Sequence, residues 1–255
     1  MSVSFRTLAF LASLCVACPL AVAAPRLVTN CMAITQPGSY IVFNNIQATG
    51  DCLVVQSDFV TIDLSGFAIS GNGTGAGVVE HLAVGRRGIT IRNGTITGFA
   101  SAIQLGNSTA VTVERIHATA NTFAGVIAGD TSDVSNCKII GNGSGNAINL
   151  GQRALVSGNI VNDNQGTGIF VGLGSNVIGN AVGRNQTGIS TAEGALVVNN
   201  VSRNNRSYGI SMDCPGAAIA NTTSNNLGDN FHQVGGNCDP TLGDCCVVNE
   251  HNSTL

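Results

Sequence analysis

Residues Val161–Val171 read VNDNQGTGIFV, and residues Val182–Thr191 read VGRNQTGIST. Each holds Asn-Gln, then Gly-Ile, then a short apolar run, about twenty residues apart. A chain that rewrites one phrase at a fixed spacing is built of units, so the first question is how far the repeat extends. One apolar column runs through Val78, Ile103, Val126, Ile148, Ile169, Ile189, Ile210 and Phe231, at separations of 25, 23, 22, 21, 20, 21 and 21 residues. A second runs through Ile62, Ile91, Val113, Val134, Val156, Val177, Val197 and Ile219, at separations of 29, 22, 21, 22, 21, 20 and 22. Two columns in phase at one period define a solenoid.

The units are too short and too poor in helix formers for helical repeats. Stretches such as VTIDL (60–64), ITIRN (89–93) and VTVER (111–115) alternate apolar and polar residues, which is strand patterning. Between them Asn recurs in two sets. One is Asn136, Asn159, Asn180, Asn200 and Asn221; the other is Asn121, Asn142, Asn164, Asn185 and Asn205. Asn tolerates the left-handed backbone of a tight corner, and its side-chain amide can bond to the rung above. The expected fold is all-β: a parallel β-helix of eight or nine coils of ~21 residues, roughly 40 Å long, with covered ends. A leucine-rich repeat has a similar period, but its Leu-x-x-Leu-x-Leu frame is missing.

The stretches CMAITQPGSYIV (31–42), VTIDLSGFAISGNG (60–73), ITIRNGTITGF (89–99) and AIQL (102–105), followed by the Asn-Gly-Ile repeats, closely resemble exported bacterial right-handed parallel β-helix repeat proteins. These belong to the pectate-lyase-like solenoid superfamily. The resemblance covers essentially the whole chain after its leader and implies right-handed coiling, as in pectate lyases and polygalacturonases. It implies a fold far more than a chemistry.

The first residues, MSVSFRTLAFLASLCVACPLAVAAPRL, read as a targeting segment. Arg6 precedes an apolar run from Leu8 to about Val22, and Ala21-Val22-Ala23 fits a cleavage site. A signal peptide at 1–23 is expected, with one domain at 24–255. Within it, 24–55 reads as an N-terminal cap, 56–231 as coils and 232–255 as a Cys-rich C-terminal cap. The location implied is secreted or periplasmic, with nothing spanning the membrane after cleavage; a lipid anchor on Cys18 is the alternative. Nine cysteines then become seven. In an oxidising compartment Cys31 with Cys52, 21 residues apart, reads as one disulfide, and a second is expected among Cys214, Cys238, Cys245 and Cys246. Cys214 and Cys238, 24 residues apart, span about one coil. Cys137 is the expected unpaired thiol.

Only 10% of residues are charged and the net charge is -3, which argues against a nucleic-acid partner. Placing Ile62, Ile91 and Val113 inward puts Asp63, Arg92 and Glu114 outward in one column of adjacent coils, flanked by Thr61, Thr90 and Thr112. The functional reading is a grip on acidic sugars, with the carboxylates as acid and base or as Ca²⁺ ligands. The plainer reading, which the residue types favour, is a charge ladder that pins register. Asp163 and Arg184 stack in the same way, with Arg203 near. The outward column on the other strand set (Val79, Gln104, Ile127, Asn149, Phe170, Ser190, Ser211, His232) carries neither acid nor Arg or Lys, a poor catalytic face.

Coil length locates any site. Later coils have room only for strands and tight turns, while Gly71–Gly88 (GNGTGAGVVEHLAVGRRG) holds spare backbone together with Glu80, His81, Arg86 and Arg87. The cofactor expectation is none, with Ca²⁺ the one ion considered at the charged column. Cys238, Cys245, Cys246 and His251 form a soft-ligand set, for which disulfides are the plainer account. The function expected is a non-enzymatic exported β-helix protein that binds a polysaccharide or a cell-envelope surface, or is structural. The alternative is a polysaccharide lyase, hydrolase or epimerase acting on acidic glycans.

Overall fold

A strand of three residues turns its centre one way and its ends the other, so stacked short strands make continuous columns. The computed structural model describes residues 24–234, 247–250 and 253–254. Their strands stack in parallel around three faces. The first face holds strands such as Val60–Asp63, Asp133–Ser135 and Leu155–Ser157. The second holds Ala68–Ser70, Lys138–Ile140 and Ile160–Asn162. The third holds Leu53–Val55, Ala76–Glu80, Ser101–Leu105, Ala124–Ala128 and Ile148–Leu150. The third face is a 10-stranded sheet, while the first two form one 19-stranded sheet. They are joined because Thr90–Thr97 and Thr112–Thr119 run unbroken round the corner between them.

Both apolar columns are seen in register. On the third face Val78 pairs with Ile103, Ile103 with Val126, Val126 with Ile148, and Ile148 with Ile169. On the first face Ile62, Ile91, Val113 and Val134 are successive partners and fully buried. The last member differs from expectation. Val197 pairs with Ala218, which is buried, while Ile219 pairs with Val198 and points outward. Ten described strands on the third face also exceed the eight or nine coils expected. The additional coils come from residues before Ile62: Arg26–Val28 already pairs with Tyr40–Val42, and Met32–Ile34 with Leu53–Val55.

At two corners buried Asn side chains stack into ladders. The first comprises Asn159, Asn180, Asn200 and Asn221; the second comprises Asn121, Asn142, Asn164, Asn185, Asn205 and Asn226. Asn180 shows the pattern. Its backbone N–H and side-chain amide donate to Asn200 Oδ1, and its amide also donates to Val156 O. Its own oxygen accepts from both nitrogens of Asn159. A buried amide so satisfied carries no desolvation penalty; losing a partner costs ~1–3 kcal/mol. The left-handed residue is the one before each ladder member: Gly158, Gly179 and Asn199 at one corner, Gly141, Asp163, Arg184 and Asn204 at the other. Asn136 belongs to that left-handed set, with φ 54°, and Cys137 takes the ladder place. The first ladder was therefore expected one residue early in that coil.

Cys31 and Cys52 form the expected disulfide between adjacent coils, and Cys137 is a buried free thiol. Cys214 is also disulfide-bonded. Cys238, Cys245, Cys246 and His251, with most of the expected C-terminal cap and the whole of 1–23, lie outside the described residues. Among the described residues no helix is long and apolar enough to cross a membrane.

Candidate functional site

The first face carries the charged column where the alternation put it. Asp63 pairs in register with Arg92, and Arg92 with Glu114, while Thr61, Thr90 and Thr112 form the neighbouring column. Arg92 Nε donates to Asp63 Oδ2 at 3.0 Å, and its Nη1 lies 4.0 Å from Glu114 Oε1. Glu114 finds a closer cation in Arg115, whose Nη2 stands 2.7 Å away. The Arg115 Nε donates to Asn93 Oδ1, and Asn93 in turn donates to both oxygens of Asp63. Arg115 and Asn93 both have positive φ, and both sit at the corner between the first and second faces.

These contacts fix the ionisation of Asp63. Partial burial raises its pKa, but hydrogen bonds from the Ser65 N–H, Asn93 and Arg92 outweigh it, and the net shift is downward. Both carboxylates of the column are thus engaged, Asp63 by three donors and Glu114 by Arg115. That is the geometry of a ladder rather than of an acid and base held ready for a substrate. Among the described residues no three His, Cys, Asp or Glu side chains gather as a metal site would require. Farther along, Arg184 grips Asp163 with two parallel N–H···O bonds, which lower the Asp163 pKa.

The stretch 71–88 is divided, because its middle is the core strand Ala76–Glu80 of the third face. Glu80 is only 6% exposed: one oxygen accepts from the backbone and side chain of Asn107, the other from the Ser108 hydroxyl. It ties one coil to the next through these bonds. His81 opens a short 3-10 turn, His81–Ala83. Arg86 is half-buried, with its Nε enclosed and unpartnered. Arg87 is exposed, 3.5 Å from Asp58, with its guanidinium over the Phe59 ring. Among the described residues no hydrogen bond or ion pair joins Arg86 or Arg87 to Asp63, Arg92 or Glu114, and Arg87 is engaged by Asp58 and Phe59 instead. The structure does not gather the loop's cations with the Asp63–Arg92–Glu114 column.

It gathers others. A groove of about 250 Å³ opens beside the column, at the corner of the first and second faces, lined by Gly94, Thr95, Arg115, Ile116, His117, Asn136 and Lys138. Thr95, His117 and Lys138 are successive register partners on the second face. VERIHAT (113–119) places Arg115 and His117 beyond Glu114, and its strand runs on through the corner to Thr119. A second groove, of about 350 Å³, lies on the third face between Ile127, Asn149 and Phe170 and the glycines after their strands. Its one acid, Asp130, is occupied by the Gln152 N–H and by Arg153.

Several solved structures share the fold. The A-module of Azotobacter vinelandii mannuronan C-5 epimerase AlgE4 superposes with a TM-score of 0.60 at 13% identity, over 77% of this chain and 65% of that one. The corresponding AlgE6 module gives 0.53 at 14% identity, over 77% and 71%. The enzymatically active domain of tailspike protein 2 of bacteriophage CBA120 gives 0.54 at 13% identity, over 92% of this chain but 41% of that one. At such identities the likeness is one of fold alone, and this chain spans less than two thirds of the AlgE4 module and of the tailspike domain. No curated protein matches the sequence. The family description "right handed beta helix region" matches residues 30–182, more than half of the chain, and the protein belongs to that family.

Proposed function

We propose that this is an exported protein that binds acidic polysaccharide at the corner of the first and second faces in its N-terminal coils, without altering it chemically. The observation that carries the reading is the state of the charges. Asp63 and Glu114 are engaged by guanidinium and amide donors, while Arg92 and Arg115 remain 40% and 54% exposed in their side chains. Both Nη atoms of Arg92 lack a hydrogen-bond partner among the described residues, leaving a planar pair of donors for a carboxylate. The Cys31–Cys52 disulfide supports the location, because such bridges persist in oxidising compartments. That solved neighbours of this fold are named as a mannuronan epimerase and a phage tailspike is consistent with a polysaccharide partner.

The test is binding of the mature protein to uronate polymers and to neutral polysaccharides, with product analysis of the same samples. Binding selective for uronates, falling by tens of fold in Arg92→Lys with the circular dichroism unchanged, is the expected result, since an ammonium cannot reproduce the bidentate geometry. Appearance of unsaturated uronates, new reducing ends or inverted uronate residues would overturn the non-enzymatic reading in favour of a lyase, hydrolase or epimerase.

A further inference from the structure

On the second face His117 and Lys138 occupy adjacent rungs in register, ~4.8 Å apart along the stack. Neither side chain makes an ion pair or hydrogen bond with any described residue. Arg115 stands at the rim of the same groove, its Nη2 on Glu114 and its Nε on Asn93. Around this groove Asp63 balances Arg92 and Glu114 balances Arg115, so among the described residues Lys138 has no counter-charge. It is also the only lysine in the sequence. Evolution of a register ladder has no need of it, because the coils below place Ile160, Ala181 and Val201 in the same column.

We infer that the groove between Arg115, His117 and Lys138 is the subsite that takes the carboxylate of one uronate unit; this rests on the acidic-polysaccharide reading above. Lys138 supplies the point charge and His117 an imidazole N–H one rung away. The walls at Gly94 and Thr95 leave the anion reachable by a sugar lying across the corner. Arg92 would then meet the chain on the first face, so one polymer touches both faces of the fold.

A single lysine makes the inference readable without mutation. An amine-reactive reagent labels Lys138 and the chain's amino terminus, which peptide mapping separates. An oligouronate should slow labelling of Lys138 several-fold and leave the amino terminus unaffected, while a neutral oligosaccharide of equal length should do nothing. Equal protection by inorganic phosphate at the same ionic strength, with no advantage for the oligouronate, would make this a simple-anion site and overturn the assignment. The second arm is affinity: Lys138→Ala and His117→Gln should each weaken oligouronate binding by about tenfold. Arg153→Ala, which removes one charge at the corner of the third and first faces, should change it less than twofold. If the unaltered protein binds oligouronate and both groove variants bind equally well, the subsite is wrong and the polysaccharide reading stands. If the unaltered protein binds none, both fall.

Discussion

At position 137 a thiol stands where the coils that follow carry Asn. The Cys137 backbone N–H donates to Asn159 Oδ1, as each ladder member does to the next, and Cys137 Sγ accepts from the Ile116 N–H at 3.4 Å. A sulfur is a weak acceptor and donor, so this rung is the poorest of the stack. Burial pushes the thiol pKa up to about 11. An amide at this place would find Val113 O, the counterpart of the Val134 O that Asn159 uses, and Asn159 Oδ1. Cys137→Asn should therefore stabilise the protein by about 1 kcal/mol, read as a higher urea midpoint with an unchanged slope. A lowered midpoint would mean that the sulfur fills space the amide cannot. The native thiol, neutral at physiological pH, should resist alkylation until the protein unfolds. The one-residue error at Asn136 has its cause here too. The corner residue and the ladder residue both accept Asn, as Asn199-Asn200, Asn204-Asn205 and Asn225-Asn226 show, so composition alone does not separate them.

At the scale of one coil, each coil stacks chiefly on the coils above and below, and its energy is shared with those two neighbours. Leu150 pairs in register with Val171, so removing 151–171 joins equivalent points of successive coils. That deletion should yield a shorter folded rod with the same circular dichroism per residue. A deletion of 151–161, about half a coil, removes the first-face strand Leu155–Ser157 but keeps the third-face strand Ile169–Val171, so later residues miss their register partners and the product should not fold. Equal behaviour of the two would contradict the independence of the coils. The period that licenses this experiment was legible because one inward residue per strand repeats without interruption from Ile62 to Val197. The site was less so. Arg115, His117 and Lys138 lie past a corner where Arg115 takes a positive φ and the in-out alternation is interrupted, so the period-2 pattern that places Asp63, Arg92 and Glu114 does not reach them. Glu80 looked like a loop residue because its partners, Asn107 and Ser108, lie a full coil away and no local pattern announces them.

For the whole molecule, the stack is strongest where every strand has two neighbours and weakest where it begins. Among the described residues Arg26–Val28 pairs only with Tyr40–Val42, and Met32–Ile34 only with Leu53–Val55, so the first coil leaves one edge open. Val28, Ile34 and Val42 are buried there, but Leu27 and Phe43, each 63% exposed, add little. What holds it is the bridge from Cys31 to Cys52, closing a loop of 21 residues. By loop-closure entropy such a bridge is worth ~3 kcal/mol, and its effect falls on the coil it closes. Replacing both cysteines with Ser should therefore raise amide exchange of residues 26–34 by roughly 100-fold, the ratio that ~3 kcal/mol implies. The amides of Ile148–Leu150, the sixth strand of the third face, should change little, because their opening does not require the first coil to be closed. Exchange that rises equally in both regions would show that the rod opens as one unit, and that the bridge guards the whole stack rather than its first coil.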